Sequence, residues 1–234
     1  MQAVILAAGK GARLRPLTHQ TPKPLIDICG KPLIEYVLEA LPDSVDEIFI
    51  VVNHLRENLI AHLGPTWHNK PIRYVIQEPL SGTAGAVHLL REQLHDSFLV
   101  LNGDDLYRKD DLEKLATHEL ALLYFQTDHD LKAGAQIENG RFTGLGPGQN
   151  AVCGAYVLDE RFFSVPPVEI QVSEFTEYGL PQTLALLAKI ETIMAVQANF
   201  WMPVGTQEEL EKARKKLAVD KLGVSPLDAS FGLV

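Results

Sequence analysis

The sequence predicts an α/β protein built on an open, doubly wound, mostly parallel sheet, and three observations carry that expectation. Short continuous apolar runs recur four times in the first 102 residues and read as strands buried on both faces. Segments with helical spacing separate them, at lengths that suit βαβ crossovers. The 234 residues are 46% hydrophobic with 17 Gly and 14 Pro, a composition that supplies a substantial core and excludes disordered and collagen-like chains.

The predicted strands are Ala3 to Ala8, Glu47 to Val52, Ile72 to Gln77 and Phe98 to Asn102, and the helices between them run Leu33 to Leu41, Leu55 to Leu63 and Ala84 to Leu94. The rhythm then changes. A helix at Asp110 to His118 and a strand at Ala121 to Gln126 precede a Gly-rich stretch, Gly134 to Gly154. Its turn signals, Asn139-Gly140 and Gly146-Pro147-Gly148, predict hairpins. A helix is expected from Pro181 to Lys189, a strand near Glu191 to Val196, and a last helix from Gln207 to Leu217. With neither an internal repeat nor a low-complexity linker, the organisation is read as one domain over residues 1–219 and a loosely held tail over 220–234.

Net charge is −9, from 21 basic and 30 acidic residues, which argues against nucleic acid or an anionic membrane surface as partner. The charge is uneven: residues 1–31 hold Lys10, Arg13, Arg15, Lys23 and Lys31 against Asp27 alone. Two cysteines, Cys29 and Cys153, are too few for a disulfide framework. No run approaches the ~18 apolar residues of a membrane span, and the N-terminus lacks the pattern of a secretion signal, so a cytoplasmic protein is expected.

Four segments carry chemistry. Leu6-Ala7-Ala8-Gly9-Lys10-Gly11-Ala12-Arg13 ends a buried strand in small residues and glycines, which lets backbone N–H groups approach an anion. It is neither a dinucleotide fingerprint nor a P-loop, and a Gly-x-Gly loop is also simply a tight turn. In Thr21-Pro22-Lys23-Pro24-Leu25, prolines on both sides are expected to exclude helix and present Lys23 from a stiff extended segment, as a phosphate contact or a solvated lysine. Gln77-Glu78-Pro79-Leu80-Ser81-Gly82-Thr83 offers an amide for a base edge and a glycine turn where a flat ring can approach, although Thr83 also suits an N-cap. Leu99-Val100-Leu101-Asn102-Gly103-Asp104-Asp105 delivers carboxylates to the same sheet edge, as ligands for Mg²⁺ bridging substrate phosphates or as a plain turn.

Together these segments resemble the sugar-1-phosphate nucleotidyltransferase family over roughly Met1 to Leu217. The resemblance implies a Rossmann-like core with a small sugar-side β sub-layer, and a reaction joining an NTP and a sugar 1-phosphate into NDP-sugar and pyrophosphate. It implies phosphate contacts from Gly9, Gly11, Arg13 and Lys23, the last two catalytic, in a nucleotide site that begins at Leu6, Ala7 and Ala8. Base recognition would fall to Gln77, Gly82 and Thr83, and Mg²⁺ to Asp104. Ala151-Val152-Cys153-Gly154-Ala155-Tyr156 and Ser173-Glu174-Phe175-Thr176-Glu177 look like the sugar-side segments, implying Gly154 and Glu174 as sugar contacts.

Two positions depart from the family pattern. Phe200-Trp201-Met202-Pro203-Val204-Gly205-Thr206 has Pro203 where the family's second metal aspartate stands, and proline brings no side-chain oxygen. Gly146-Pro147-Gly148 stands where the family's sugar-phosphate lysine is expected. Two functions follow: a Mg²⁺-dependent transferase with lowered activity, or a nucleotide-binding regulatory homologue. A homo-oligomer fits either.

Overall fold

The computed structural model describes residues 1–172 and 175–221. From the N-terminus, β1 (Gln2–Leu6) leads through three single 3-10 turns to a ribbon of β2 (Asp27–Ile28) and β3 (Lys31–Pro32), then α1 (Leu33–Glu39). Next come β4 (Glu47–Val52), α2 (Arg56–Leu63), β5 (Thr66–Trp67), β6 (Lys70–Ile76) and α3 (Gly82–His88). They are followed by β7 (Phe98–Asn102), β8 (Asp105–Tyr107) and α4 (Lys109–Leu115). The C-terminal half holds β9 (Ala121–Glu138), β10 (Arg141–Leu158), β11 (Val168–Val172), β12 (Phe175–Gly179), α5 (Leu180–Leu187), β13 (Ile193–Gln197), β14 (Trp201–Pro203) and α6 (Gln207–Lys221).

Eight strands form the main sheet in the order β13-β9-β10-β7-β1-β4-β6-β5. β7, β1, β4 and β6 are mutually parallel, whereas β10 runs antiparallel to β7 and to β9. The chain moves outward from β1 to β4 and β6, then returns to place β7 on the other side of β1. That reversal opens a crevice at the carboxyl ends of β1 and β7, where doubly wound sheets bind ligands. Leu6 and Asn102 are register partners there.

The sheet is filled on both faces. Along β1, Ala3 and Ile5 pack into one apolar layer and Val4 into the other, the two-residue alternation of a strand. This explains why β4 and β7 match their predicted bounds: a strand buried on both sides reads as a continuous apolar run. A third cluster, with Leu14, Ile28, Leu33, Val204 and Leu210, pins α6 over the N-terminal turns.

Several expectations need correction. The predicted strand to Ala8 ends at Leu6, because the backbone leaves the sheet to form the glycine loop. Helix α3 stops at His88 and continues as turns rather than to Leu94. Asn139-Gly140 does form the hairpin turn, both residues having positive φ, but Gly146-Pro147-Gly148 lies inside β10. Its glycines meet β9 through register shifts, so local breakers become irregularities in one long ribbon instead of a second turn. Residues 173–174 and 222–234, most of the expected tail, lie outside the described residues. Among those described, no helix is long and apolar enough to cross a membrane.

Candidate functional site

The crevice at the β1/β7 edge is a cavity of about 830 Å³. Leu6, Ala7, Ala8, Gly9, Gly11, Lys23, Gln77, Gly82, Thr83 and Asp104 all line it, so ten residues from four separate segments converge on one space.

The loop after β1 is held tightly to the sheet: Ala7 N donates to Val51 O (2.9 Å) and Gly103 N to Leu6 O (2.9 Å). Gly11 has φ +60, and a Cβ there would lie 2.8 Å from Thr18 Cγ2 and 3.1 Å from Lys23 Cβ. Only glycine lets the loop fold onto these two side chains. Thr18 Oγ1 closes the arrangement by donating to Gly11 O (2.8 Å).

Lys23 is not on extended chain. Lys23–Leu25 is a 3-10 turn, closed by Leu25 N donating to Pro22 O (2.8 Å). Prolines that break a helix interior are compatible with a first turn, where their missing N–H has no partner to lose. The turn buries Lys23 to 8% exposure and brings its ammonium onto the Asp104 carboxylate, joining the expected phosphate cation to the expected metal ligand.

Gln77 is 3% exposed, and its amide NH₂ donates to Ser81 Oγ (3.0 Å) and Gly82 O (2.9 Å). Both donors thus shape the loop. Only the carbonyl oxygen is left for a ligand. Thr83 is not the N-cap, a place taken by Ser81; its Oγ1 accepts from Leu180 N (3.0 Å). Gly82, at φ +81, faces the backbone of Tyr178, whose N donates to Ser81 O (2.9 Å). The Gln77–Thr83 loop and the β11–β12 hairpin are thereby locked together.

Two predicted residues do not join the cavity, and a third cannot be placed against it. Arg13 is exposed on the turn Ala12–Leu14, its guanidinium lying against Gly205, where a Cβ would be 2.8 Å from Nη2. Gly154 sits behind the cavity wall with its carbonyl accepting from Tyr107 OH (3.1 Å). Glu174 lies outside the described residues. Conversely, Asn53, Asn102, Phe175 and Glu177 line the cavity and were not singled out as site residues. Asn53 Nδ2 supports the loop by donating to Gln77 O (2.6 Å). The two asparagines had a signal in the sequence, a polar residue at the end of a buried strand; Phe175 and Glu177 fall in the segment that resembles the sugar side, where Glu174 alone was named.

Asp105 stands behind Asp104, 5% exposed, accepting from Trp201 Nε1 (3.2 Å), Asn102 Nδ2 (3.3 Å) and Tyr107 OH (3.4 Å). Burial, and then the neighbouring Asp104 charge, raise its pKa to about 8 against the lowering from the Trp201 and Asn102 donors and the Lys23 charge. In the unfolded chain Asp105 ionises near about 4. Between those values the native state carries the extra proton, so stability falls as pH rises. In metal-free buffer, Asp105→Asn is expected to flatten the decline in melting temperature between about pH 4 and pH 8; an unchanged slope would contradict this.

Strand β14 pairs with β8 so that Pro203 opposes Asp105, and Val204 N donates to Asp104 O (3.0 Å). Position 203 therefore lies beside the aspartate pair and contributes no carboxylate. Among the described residues, no three His, Cys, Asp or Glu side chains cluster as a metal site. A Mg²⁺ ion that takes one protein carboxylate and completes its shell with phosphate oxygens and water is still compatible with Asp104.

The nucleotidyl transferase family model matches residues 2–122. The chain belongs to that family. The match spans the glycine loop, Lys23, the Gln77–Thr83 segment and Asp104, and the family expected from the motifs is borne out. The bifunctional protein GlmU of Methanocaldococcus jannaschii is 32% identical over 95% of this chain and 55% of its own length, so the chain spans about half of that relative. A UTP–glucose-1-phosphate uridylyltransferase, AglF of Haloferax volcanii, is 28% identical over 93% of this chain and 96% of its own. In fold, a Bacillus anthracis protein provisionally assigned as a glucose-1-phosphate thymidylyltransferase superposes with a TM-score of 0.78 at 22% identity, covering 100% of this chain and 98% of that one. The Rossmann-like α/β architecture is shared with it.

Proposed function

We propose that the protein transfers a nucleoside monophosphate from an NTP to a sugar 1-phosphate, giving NDP-sugar and pyrophosphate with Mg²⁺ as cofactor. The supporting observation is the convergence of the glycine loop, Lys23, the Gln77–Thr83 segment and Asp104 on one cavity. AglF, similar over nearly its whole length, carries a name of this reaction type.

A sugar 1-phosphate is already ionised, so its oxygen can attack the α-phosphorus without a strong general base. What remains for the protein is positioning and charge neutralisation. The backbone of Gly9 and Gly11 borders the triphosphate, and Gln77 and the Gly82–Thr83 turn hold the base. Lys23, fixed by its turn and by Asp104, sets a buried positive charge against the reacting phosphates. The resemblance assigns a further phosphate contact to Arg13 and sugar contacts to Gly154 and Glu174. Mg²⁺ on Asp104 would supply Lewis-acid neutralisation of phosphate oxygens.

Pyrophosphate release across a panel of NTPs and sugar 1-phosphates tests the reading. Turnover with one pair is expected; silence across the panel, with nucleotide still raising the melting temperature, would favour a binding homologue that has lost turnover. Pro203 is the observation behind that second reading. Pro203→Asp is expected to lower the Mg²⁺ concentration for half-maximal rate by about tenfold, the effect of one added hard carboxylate ligand. A Mg²⁺ titration identical to wild type would count against a metal at Asp104.

A further inference from the structure

We propose that Phe175 is a stacking platform for the ring of the acceptor and makes the protein favour a cyclic sugar phosphate; this rests on the nucleotidyl-transfer reading above. Among the described residues Phe175 is the most exposed large apolar side chain, at 70%, and it lines the cavity. An aromatic ring held open to water inside a ligand-sized cavity is poised to be covered by a ligand.

The ring is carried on anchored chain. Phe175 begins β12 and pairs with Val172 of β11, while the other end of β12 is tied down by the Tyr178 N bond to Ser81 O (2.9 Å) and the Leu180 N bond to Thr83 Oγ1 (3.0 Å). Glu177, two residues on and so on the same face of the strand, also lines the cavity, and its carboxylate has no ion-pair or hydrogen-bond partner among the described residues.

Position along the strand separates the two substrates. Glu177 abuts Gly82, its Cβ 2.9 Å from where a Cβ on Gly82 would stand, so that end of β12 adjoins the base-side loop. Phe175 stands about 7 Å further along the strand. A base held at Gln77 and Gly82 leaves Phe175 to the second substrate. A pyranose fits this position: its C–H face lies on the Phe175 ring, whose face is electron-rich. The cations that line the cavity, Lys10 and Lys23, belong to the glycine loop and the proline-flanked turn, away from the hairpin, and take the phosphate.

Calorimetric titration of the full chain with UDP-glucose and with UDP tests this, with dTDP-glucose against dTDP and GDP-mannose against GDP as parallel pairs. Phe175→Ala is expected to weaken the nucleotide sugar by about tenfold and the matching nucleotide by less than about twofold, with Phe175→Tyr close to wild type. Because the side chain is exposed, its truncation leaves no interior void, and an unchanged melting temperature serves as the control. Equal losses for both ligands would place the base, not the sugar, on Phe175 and overturn the proposal, as would no loss for either. If none of the nucleotides binds the wild type, the transfer reading fails and this proposal with it; if a nucleotide binds and the ratio is unmoved, only the Phe175 assignment fails.

Discussion

Lys23→Ala is expected to lower kcat/KM for nucleotidyl transfer by about 10² to 10³-fold, the usual cost of removing one preorganised charge from a reacting centre. The reason lies in its setting. The ammonium is nearly buried, held on a proline-bounded turn, packed against Gly11 and paired with Asp104. Its position is therefore fixed before substrate arrives, and no reorganisation is spent at the moment of reaction. Asp104 is 36% exposed, so water can solvate it once its partner is gone, and the loss of stability is expected to be small beside the loss of rate. Lys23→Met keeps the stem and removes the charge. Steady-state kinetics and thermal melting on both variants separate the contributions, and a Met variant with near-normal turnover would refute an electrostatic role.

The second large effect is expected at Gly82→Ala: a loss of about 2–4 kcal/mol in unfolding free energy from strain and overpacking together, with weakened nucleotide binding. The new Cβ would lie 2.6 Å from Tyr178 O and 2.7 Å from Tyr178 N, both backbone atoms, at a residue with φ +81. A flexible side chain could swing aside, but the Tyr178 backbone cannot move without giving up its bond to Ser81. Relief of the clash would separate the hairpin from the Gln77–Thr83 loop, so both walls of the cavity shift. Urea unfolding and nucleotide titration are the measurements. A variant of wild-type stability would mean that the junction is softer than its geometry implies.

These two residues also mark how far the chain could be read unaided. That Gly82 is needed at a turn was legible; that the turn exists to receive Tyr178 was not, because the partner is 96 positions away. Lys23 was legible as a cation on stiff chain, yet its prolines were expected to hold it extended. The 3-10 turn forms because Ile26 and Leu14 pack into the cluster beneath α6, and that packing decides which of proline's allowed geometries is used. In the same way Gly146-Pro147-Gly148 reads as a turn in isolation and becomes strand because β9 lies alongside it.

By itself the sequence determined the parallel strands β1, β4 and β7, the glycine loop, the Gln77–Thr83 segment and Asp104 as parts of one sheet edge, and the family to which the chain belongs. Each is written in a short stretch, where apolar continuity or glycine and proline chemistry acts over a few residues. Tertiary structure alone decided that Lys23 meets Asp104, that Asp105 is buried with a raised pKa, that Arg13 lies against Gly205, and that Glu177 and Tyr178 close against Gly82. Those are contacts between segments far apart in the chain, set by which strands the sheet makes neighbours and which faces it leaves open, and local pattern carries no record of them.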